Sequence, residues 1–284
     1  METNLYQSYL IFICAYFFTA GFDNSVILPT VWYYIKALDQ TENFYAAVLA
    51  AQCLGFVIAL PIFSKLTDRL RTMSKLVLLL AITVKIVSNI VYALPLSSFC
   101  PLVGLFFSGA ANGVFGMLYG EIVRFTKSKY RSKLFILVDS LFTLGTSIGS
   151  GLGGIFTFHT NILGLKINDG NSPAIILLFV WFVALIVLSF LPSKFGDKET
   201  SRKDCFPDEN DEKRSLIESL DFTVLCLLYL IFTNSIVVAT CTGILELISM
   251  ELFHLKLLHV KLLFAVGMAF VLVVNIIFYN ASTY

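Results

Sequence analysis

The chain alternates eight long apolar blocks with polar connections, and this pattern limits the possible folds more than any other feature. An α-helix needs about 20 residues to cross roughly 30 Å of hydrocarbon. In lipid the backbone must satisfy its own hydrogen bonds, which a helix does within one segment. We therefore predict an all-α polytopic membrane protein with eight helices, whose apolar blocks are residues 8–35, 43–64, 74–96, 99–123, 133–157, 173–192, 220–247 and 255–279.

The composition excludes an ordinary soluble domain. Hydrophobic residues make up 57% of the chain and charged residues 14%, and the mean hydropathy is +0.83. The six cysteines are scattered and form no C-x-x-C pair, so we expect no disulfide framework, metal site or cofactor. The net charge of +1 gives no reason to expect nucleic acid as a partner. The expected surroundings are membrane lipid.

Basic residues collect in every second connection between the apolar blocks. Loops rich in Lys and Arg face the cytosol, so the sequence predicts that the even-numbered connections and both termini are cytosolic. The residues that carry this prediction are Lys65, Arg69, Arg71 and Lys75, then Arg124, Lys127, Lys129, Arg131 and Lys133, and then Lys194, Lys198, Arg202, Lys203, Lys213 and Arg214.

One long polar segment, residues 193–219, interrupts the series of apolar blocks. Its mixed charge and few apolar residues are typical of a flexible linker. It divides the chain into a six-helix bundle, residues 1–192, and a two-helix segment, residues 220–284. Six helices, a charged cytosolic linker and further helices are the arrangement of the major facilitator transporters, whose two halves rock about a site near the midplane.

Three runs of sequence carry a closer resemblance. They are "ILPTVWYYIKALD" (27–39), "FYAAVLAAQCLGFVIALPIFSKLTDR" (44–69) and "LKINDGNSP" (165–173). In order and spacing they resemble the lysosomal major-facilitator proteins of the ceroid-lipofuscinosis type. The resemblance implies a carrier or channel-like transporter of a small solute or ion, which works by alternating access in a lysosomal or endosomal membrane and is not an enzyme.

The length of the chain departs from that family. The resemblance implies four further helices after residue 279, where this sequence ends with "YNASTY". We expect either a truncated isoform or gene product, or two chains that self-associate to supply each other's missing half. The alternative function is a non-transporting half-transporter that acts as a membrane scaffold or regulator.

Charged residues inside the apolar blocks are the most informative polar positions, because each costs several kcal/mol unless it is paired or hydrated. Lys85 lies near the middle of the third block, Asp23 precedes a kink expected at Pro29, and Asp139 lies in the fifth block. The resemblance implies that helices one and four line the cavity and that helix three is peripheral. It favours Asp23 as a cavity residue, and it leaves Lys85 as either a structural counter-ion to an acid or a sign that helix three faces water.

Further polar residues in the apolar blocks extend this predicted cavity. Each of them is also explained by ordinary hydrogen bonding between helices. They are Asn24, Gln52, Asn112 and Tyr119.

The connection between helices two and three resembles half of a cytosolic loop motif of the superfamily. Asp68 and Arg69 match its D-R pair, while Ser64 and Arg71 replace its glycines. The resemblance implies that Asp68 and Arg69 act as a cytosolic gate. The alternative is a solvated turn whose charges only set the topology.

Two motifs of soluble enzymes occur in the fifth block, G-x-S-x-G at 145–149 and G-x-G-x-x-G at 149–154. Each needs a turn between a strand and a helix to carry chemistry. Inside one apolar block, small residues indicate close helix packing instead. Glycines spaced three or four residues apart predict a helix face of small residues on helices five and four. They are Gly145, Gly149 and Gly153 on helix five and Gly109, Gly113, Gly116 and Gly120 on helix four.

Two further patterns concern regulation. Glu212, Leu216 and Ile217 match an acidic dileucine sorting signal in the linker, although the two apolar residues also stand where helix seven begins. His159, His254 and His259 all fall at predicted non-cytosolic helix ends. Since histidine titrates near pH 6.5, they form a hypothetical pH sensor, and the alternative is the ordinary frequency of histidine at membrane interfaces.

Overall fold

The computed structural model describes residues 2–69, 74–126, 128–152, 158, 160–162, 165–191, 226, 229, 233, 245, 248, 249 and 251–281. The chain forms two compact units, one comprising Met1–Phe195 with Leu255–Tyr284 and the other Gly196–His254. In the second unit the described residues are isolated helical positions and a short segment around Phe253. The predicted seventh block, 220–247, therefore lies almost wholly outside the described residues.

The first unit is a bundle of long apolar helices. Seven segments of the described residues are long and apolar enough to cross a membrane, which confirms the predicted all-α polytopic fold. Its helices are α1 (Glu2–Ile27), α2 (Val31–Ala37), α3 (Glu42–Arg69), α4 (Ser74–Ala93), α5 (Cys100–Asn112), α6 (Val114–Phe125), α7 (Ser128–Leu152), α8 (Ser172–Phe190) and α9 (Leu257–Ala281).

The first membrane span consists of α1 and α2 joined by a single 3₁₀ turn, Leu28–Thr30. Pro29 has no backbone N–H and its ring clashes with the preceding helical turn, so the α-helical hydrogen bonding changes at this point. The Thr30 hydroxyl donates to the carbonyl oxygen of Ile27 at 2.6 Å. The interruption thus falls at the proline where the sequence predicts a kink.

The fourth span is divided at Gly113, whereas the sequence predicts one continuous helix. Gly113 joins α5 to α6. A Cβ atom placed on it would lie 2.8 Å from the backbone carbon of Ala59 and from the nitrogen of Leu60 in α3. Glycine is a weak helix former, and the close approach to α3 accompanies the break.

Glycines allow two pairs of helices to touch through their backbones. On α7, a Cβ at Gly145 would lie 2.1 Å from the carbonyl oxygen of Phe18 in α1. On α5, a Cβ at Gly109 would lie 1.9 Å from the carbonyl oxygen of Gln52 in α3. A Cβ atom at Gly120 would have nothing within 4 Å, so the small-residue face predicted for the fourth span is not packed along its whole length. Gly153 of the fifth span lies outside the described residues.

The remaining helices complete the bundle around α4 and α7. Helix α4 packs on α5 and α8, while α9 packs on α7. The Lys75 ammonium at the start of α4 donates to the carbonyl oxygens of Ser189 (2.9 Å) and Leu191 at the end of α8. A cation at this position satisfies carbonyl groups that have no partner within the helix and complements its dipole.

A short β-hairpin separates α7 from α8. Strand β1 (Thr160–Ile162) pairs antiparallel with β2 (Leu165–Ile167). After β2, the Asn171 side chain donates to the carbonyl oxygen of Ala93 at 3.1 Å, and Gly170 lies against Tyr34 with no room for a side chain. The run at 165–173 therefore packs on the ends of α2 and α4.

Candidate functional site

A buried ion pair joins α1 to α4 in the interior of the bundle. Asp23 Oδ2 lies 2.7 Å from Lys85 Nζ, and each side chain is only 1% exposed. Residues from two further helices surround the pair, and we call the set of Asp23, Lys85, Ser108, Asn112 and Trp181 the charged node. The pair supplies the counter-ion for a lysine that is buried too deeply to reach water.

Both charged groups in this node have polar partners among the described residues. Lys85 has three N–H donors, and they face Asp23, the Ser108 hydroxyl at 2.6 Å and the Asn112 amide oxygen at 3.3 Å. Trp181 Nε1 donates to the second carboxylate oxygen of Asp23 at 2.9 Å. Its indole ring also lies 5.8 Å from Lys85 Nζ, within reach of a cation–π interaction.

Helix α4 presents Lys85 to the interior because its buried positions recur every three or four residues. These positions form one face, which packs on α5 and α8. The members of this face are Ser74, Val77, Leu78, Ala81, Ile82, Lys85, Ser88, Asn89 and Tyr92. In the structure Lys85 therefore stands as a counter-ion to Asp23 and not as a residue on a hydrated helix face.

A narrow cleft borders the charged node. It is lined by Asp23, Asn24, Ile27, Leu28, Gln52, Leu105 and Ser108 and is too tight for a water molecule. Gln52 Nε2 donates to Asn24 Oδ1 at 3.1 Å, which ties α3 to α1 across it. Polar groups from α1, α3 and α5 thus converge on a space that is closed in this conformation.

Asp139 and Tyr119 lie in a second cluster. The Asn275 amide of α9 donates to Asp139 Oδ2 at 3.1 Å and lies 3.4 Å from the Thr143 hydroxyl. Tyr119 packs its ring against Phe17 and Phe135. Of the six predicted cavity residues, four therefore lie at or beside the charged node. Asp139 lies at the contact between α7 and α9, and Tyr119 lies on α6 against α1 and α7.

Four polar residues of these clusters are not among the predicted site residues. Trp181 and Ser108 complete the charged node, while Thr143 and Asn275 surround Asp139. Two signals were available, since Ser108 lies four residues before Asn112 and Thr143 lies four residues after Asp139. Each pair therefore shares a helix face. Trp181 carries no comparable signal, because nothing in its apolar block indicates which side chain its indole N–H will meet.

The other predicted sites stay predictions. Asp68 and Arg69 end α3, and their side chains are outside the described part of the chain. His159 lies outside the described residues, as do Glu212, Leu216 and Ile217. His254 is exposed and has a positive φ of 48°, and His259 is exposed on α9.

Comparison with known proteins gives one family match. The sequence profile of the Major Facilitator Superfamily matches residues 13–282, which extend from within α1 through the end of α9. A search of curated proteins returned no significant match. The match thus includes both polar clusters and nearly the whole chain.

Proposed function

Because the chain belongs to the Major Facilitator Superfamily, we propose that it moves a small solute or ion across its membrane by alternating access. Members of this family are membrane transporters and not enzymes. The observation that carries the proposal is the closed cleft beside the charged node. Its polar groups come from three helices, so a relative movement of α1, α3 and α5 would open it to one side of the membrane.

The cleft is a suitable place for a solute because its polar contacts can be exchanged. In the part of the chain that the structure describes, the side-chain amides of Gln52 and Asn24 bond to each other across the cleft. A neutral amide pair gives up its hydrogen bond at a net cost of about 1 kcal/mol. The ion pair of Asp23 and Lys85 is far harder to break, since separation would leave two buried charges. We propose that the amides contact the solute and that the charged node holds the helices around it.

Replacing Gln52 by leucine should lower transport about tenfold, because the solute loses a hydrogen-bonding partner in the cleft. Purified protein in liposomes is first screened for solutes that raise its melting temperature. Uptake of the solute with the largest effect is then measured with a labelled form of that solute. The matched control is Gln40→Leu. Gln40 bonds to Leu38 and Ser98 in a turn outside the cleft. Solute uptake by Gln40→Leu should therefore stay within about twofold of the original rate.

Two outcomes of this experiment would contradict the proposal. Equal effects of the two glutamine substitutions would show that Gln52 does not contact the solute. If no solute enters faster than it enters empty liposomes, the scaffold or regulator function becomes the better explanation.

For the compartment, we propose a lysosomal or endosomal membrane. The support is the resemblance of 27–39, 44–69 and 165–173 to the ceroid-lipofuscinosis type of transporter. The acidic dileucine pattern of Glu212, Leu216 and Ile217 is a second support, because adaptor proteins would bind it as a sorting signal in a cytosolic linker.

Replacing Leu216 and Ile217 by alanine should move the protein to the plasma membrane, because the adaptor would lose both apolar contacts. Immunofluorescence against lysosomal and surface markers measures the shift. Leu220→Ala, which removes a nearby leucine outside the pattern, should leave the distribution unchanged. If the double variant stays in lysosomes, Leu216 and Ile217 do not form a sorting signal.

A further inference from the structure

The closed cleft has one ionisable side chain among the described residues that line it, that of Asp23. Its charge is already balanced, because Lys85 Nζ lies 2.7 Å from Oδ2 and Trp181 Nε1 donates to Oδ1 at 2.9 Å. Lys85 is outside the lining, and its ammonium also bonds to Ser108 and Asn112. The described lining therefore offers a solute polar groups but no charge that lacks a partner.

The two amides that line the cleft keep hydrogen-bonding groups in reserve. An asparagine or glutamine side chain has one carbonyl oxygen and two N–H donors. The bond between Gln52 Nε2 and Asn24 Oδ1 uses one donor of the first amide and the oxygen of the second. In the described part of the chain, Gln52 Oε1 and the N–H groups of Asn24 have no partner. An acceptor and a donor thus lie on neighbouring amides from α3 and α1.

A hydroxyl group matches this arrangement, because it both donates and accepts hydrogen bonds. One hydroxyl can accept from Asn24 Nδ2 and donate to Gln52 Oε1. The Ser108 hydroxyl accepts from Lys85 at 2.6 Å and has no described acceptor for its own proton, so it can donate to a second hydroxyl. The rest of the lining is apolar and suits the C–H groups of such a molecule. It consists of Ile27, Leu28 and Leu105.

A charged solute would fit this cleft poorly. Closure removes water from the cleft, and a charge without a partner inside a membrane span is strongly unfavourable. A cationic solute would have to compete with Lys85 for Asp23, and an anionic solute would have to compete with Asp23 for Lys85. Either exchange would leave one charge of the node buried without its partner.

We propose that the cleft binds an uncharged solute with several hydroxyl groups, a polyol or a monosaccharide, through Asn24, Gln52 and Ser108. The inference rests on the proposed transport function for its purpose and adds the chemical class of the solute. Opening of the cleft separates the two amides. A hydroxyl of the solute then bridges them in place of their mutual hydrogen bond, while the charged node stays intact.

The test compares solutes of one size that differ in charge. The full chain in nanodiscs is titrated at neutral pH with D-glucose, D-glucosamine and D-glucuronate, and then with the open-chain series sorbitol, glucamine and gluconate. Equilibrium dialysis of the labelled compounds measures the dissociation constants. In at least one series the neutral member should bind about tenfold more tightly than both charged members, because neither charge finds a free partner in the cleft.

Two substitutions in the cleft place this preference at the amides. Gln52→Glu keeps the shape of the side chain and adds a carboxylate, so the preference should shift about tenfold towards the amine. Asn24→Leu adds no charge and should weaken binding of the neutral member about tenfold, because a hydroxyl of the solute loses its donor. The matched control is Gln40→Glu in the turn outside the cleft, which should keep the preference of the unmodified chain.

Three results would overturn the proposal: a charged member that binds as tightly as the neutral one in both series, no binding of any of these compounds, or the same preference in Gln52→Glu and Gln40→Glu. Because the assay measures binding and not flux, the two proposals fail separately. Uptake of an ionic solute would leave transport standing without this solute class. Binding of a polyol without uptake would leave the solute class standing without transport.

Discussion

Replacing Asp23 by asparagine alone should destabilise the bundle by about 3–5 kcal/mol, because Lys85 would stay buried without its carboxylate partner. The lysine is 1% exposed and cannot reach water without movement of α4. Ser108 and Asn112 would still accept hydrogen bonds, but neither carries a negative charge. The shift is measured as a loss of resistance to denaturant-induced unfolding in detergent micelles.

Removing the charge of the lysine as well should recover most of this loss. Lys85→Met keeps much of the side-chain volume, and a buried ion pair replaced by uncharged groups is often neutral for stability. Asp23→Asn with Lys85→Met should therefore be more stable than Asp23→Asn by several kcal/mol. Equal destabilisation of the single and double variants would show that the two charges are not coupled.

Asp139→Asn supplies the contrasting variant for stability. The Asp139 carboxylate has no described counter-ion. Removing its charge therefore leaves no described cation without a partner. We expect the free energy of unfolding of Asp139→Asn to stay within about 0.5 kcal/mol of that of the original chain. The contrast separates the charge balance of the node from a general need for acidic residues in the spans.

The same variants decide how Asp23 contributes to transport. Loss of uptake in Asp23→Asn alone has two explanations, loss of a solute contact and collapse of the node. A double variant that folds and transports assigns Asp23 a structural role, while one that folds and does not transport assigns it a role in the cleft. The predicted cavity function of Asp23 therefore requires the double variant for its test.

Hydropathy predicts the helices of this chain well because lipid imposes a length and a composition on every span. The prediction misses features that depend on contacts between distant segments. Gly113 reads as part of an apolar helix, yet its close approach to Ala59 accompanies the division of that span. The hairpin at 160–167 has no strong strand signal, because two three-residue strands are too short for a periodic pattern.

The candidate site shows the same limit. The depth of Lys85 and Asp23 follows from their positions in the apolar blocks, but their pairing joins α1 to α4 and cannot be read from spacing along one helix. From the sequence alone, Asp23 and Asp139 are therefore both predicted as cavity acids. Only the packing of the helices shows that one has a cation beside it and the other has an amide.

Replacing Gly109 by alanine should destabilise the bundle by about 1–3 kcal/mol, because the added methyl group overlaps the backbone of α3. Its Cβ would lie 1.9 Å from the carbonyl oxygen of Gln52 and 2.8 Å from the adjoining carbon, and backbone atoms cannot rotate away as a flexible side chain can. Helices α3 and α5 would have to separate. Gly120→Ala is the matched control, since that position has nothing within 4 Å, and its higher helix propensity should make it neutral or slightly stabilising.

The position of Gly109 also links packing to the cleft. The backbone that it contacts belongs to Gln52, whose side chain donates to Asn24 across the closed space. A displaced α3 would weaken this hydrogen bond, so Gly109→Ala should open the cleft to water and raise the labelling of a cysteine placed at Leu105, which lines it. Thermal unfolding and thiol labelling of the two glycine variants measure both effects. If Gly109→Ala and Gly120→Ala have the same stability and labelling, backbone contact between α3 and α5 does not keep the cleft closed.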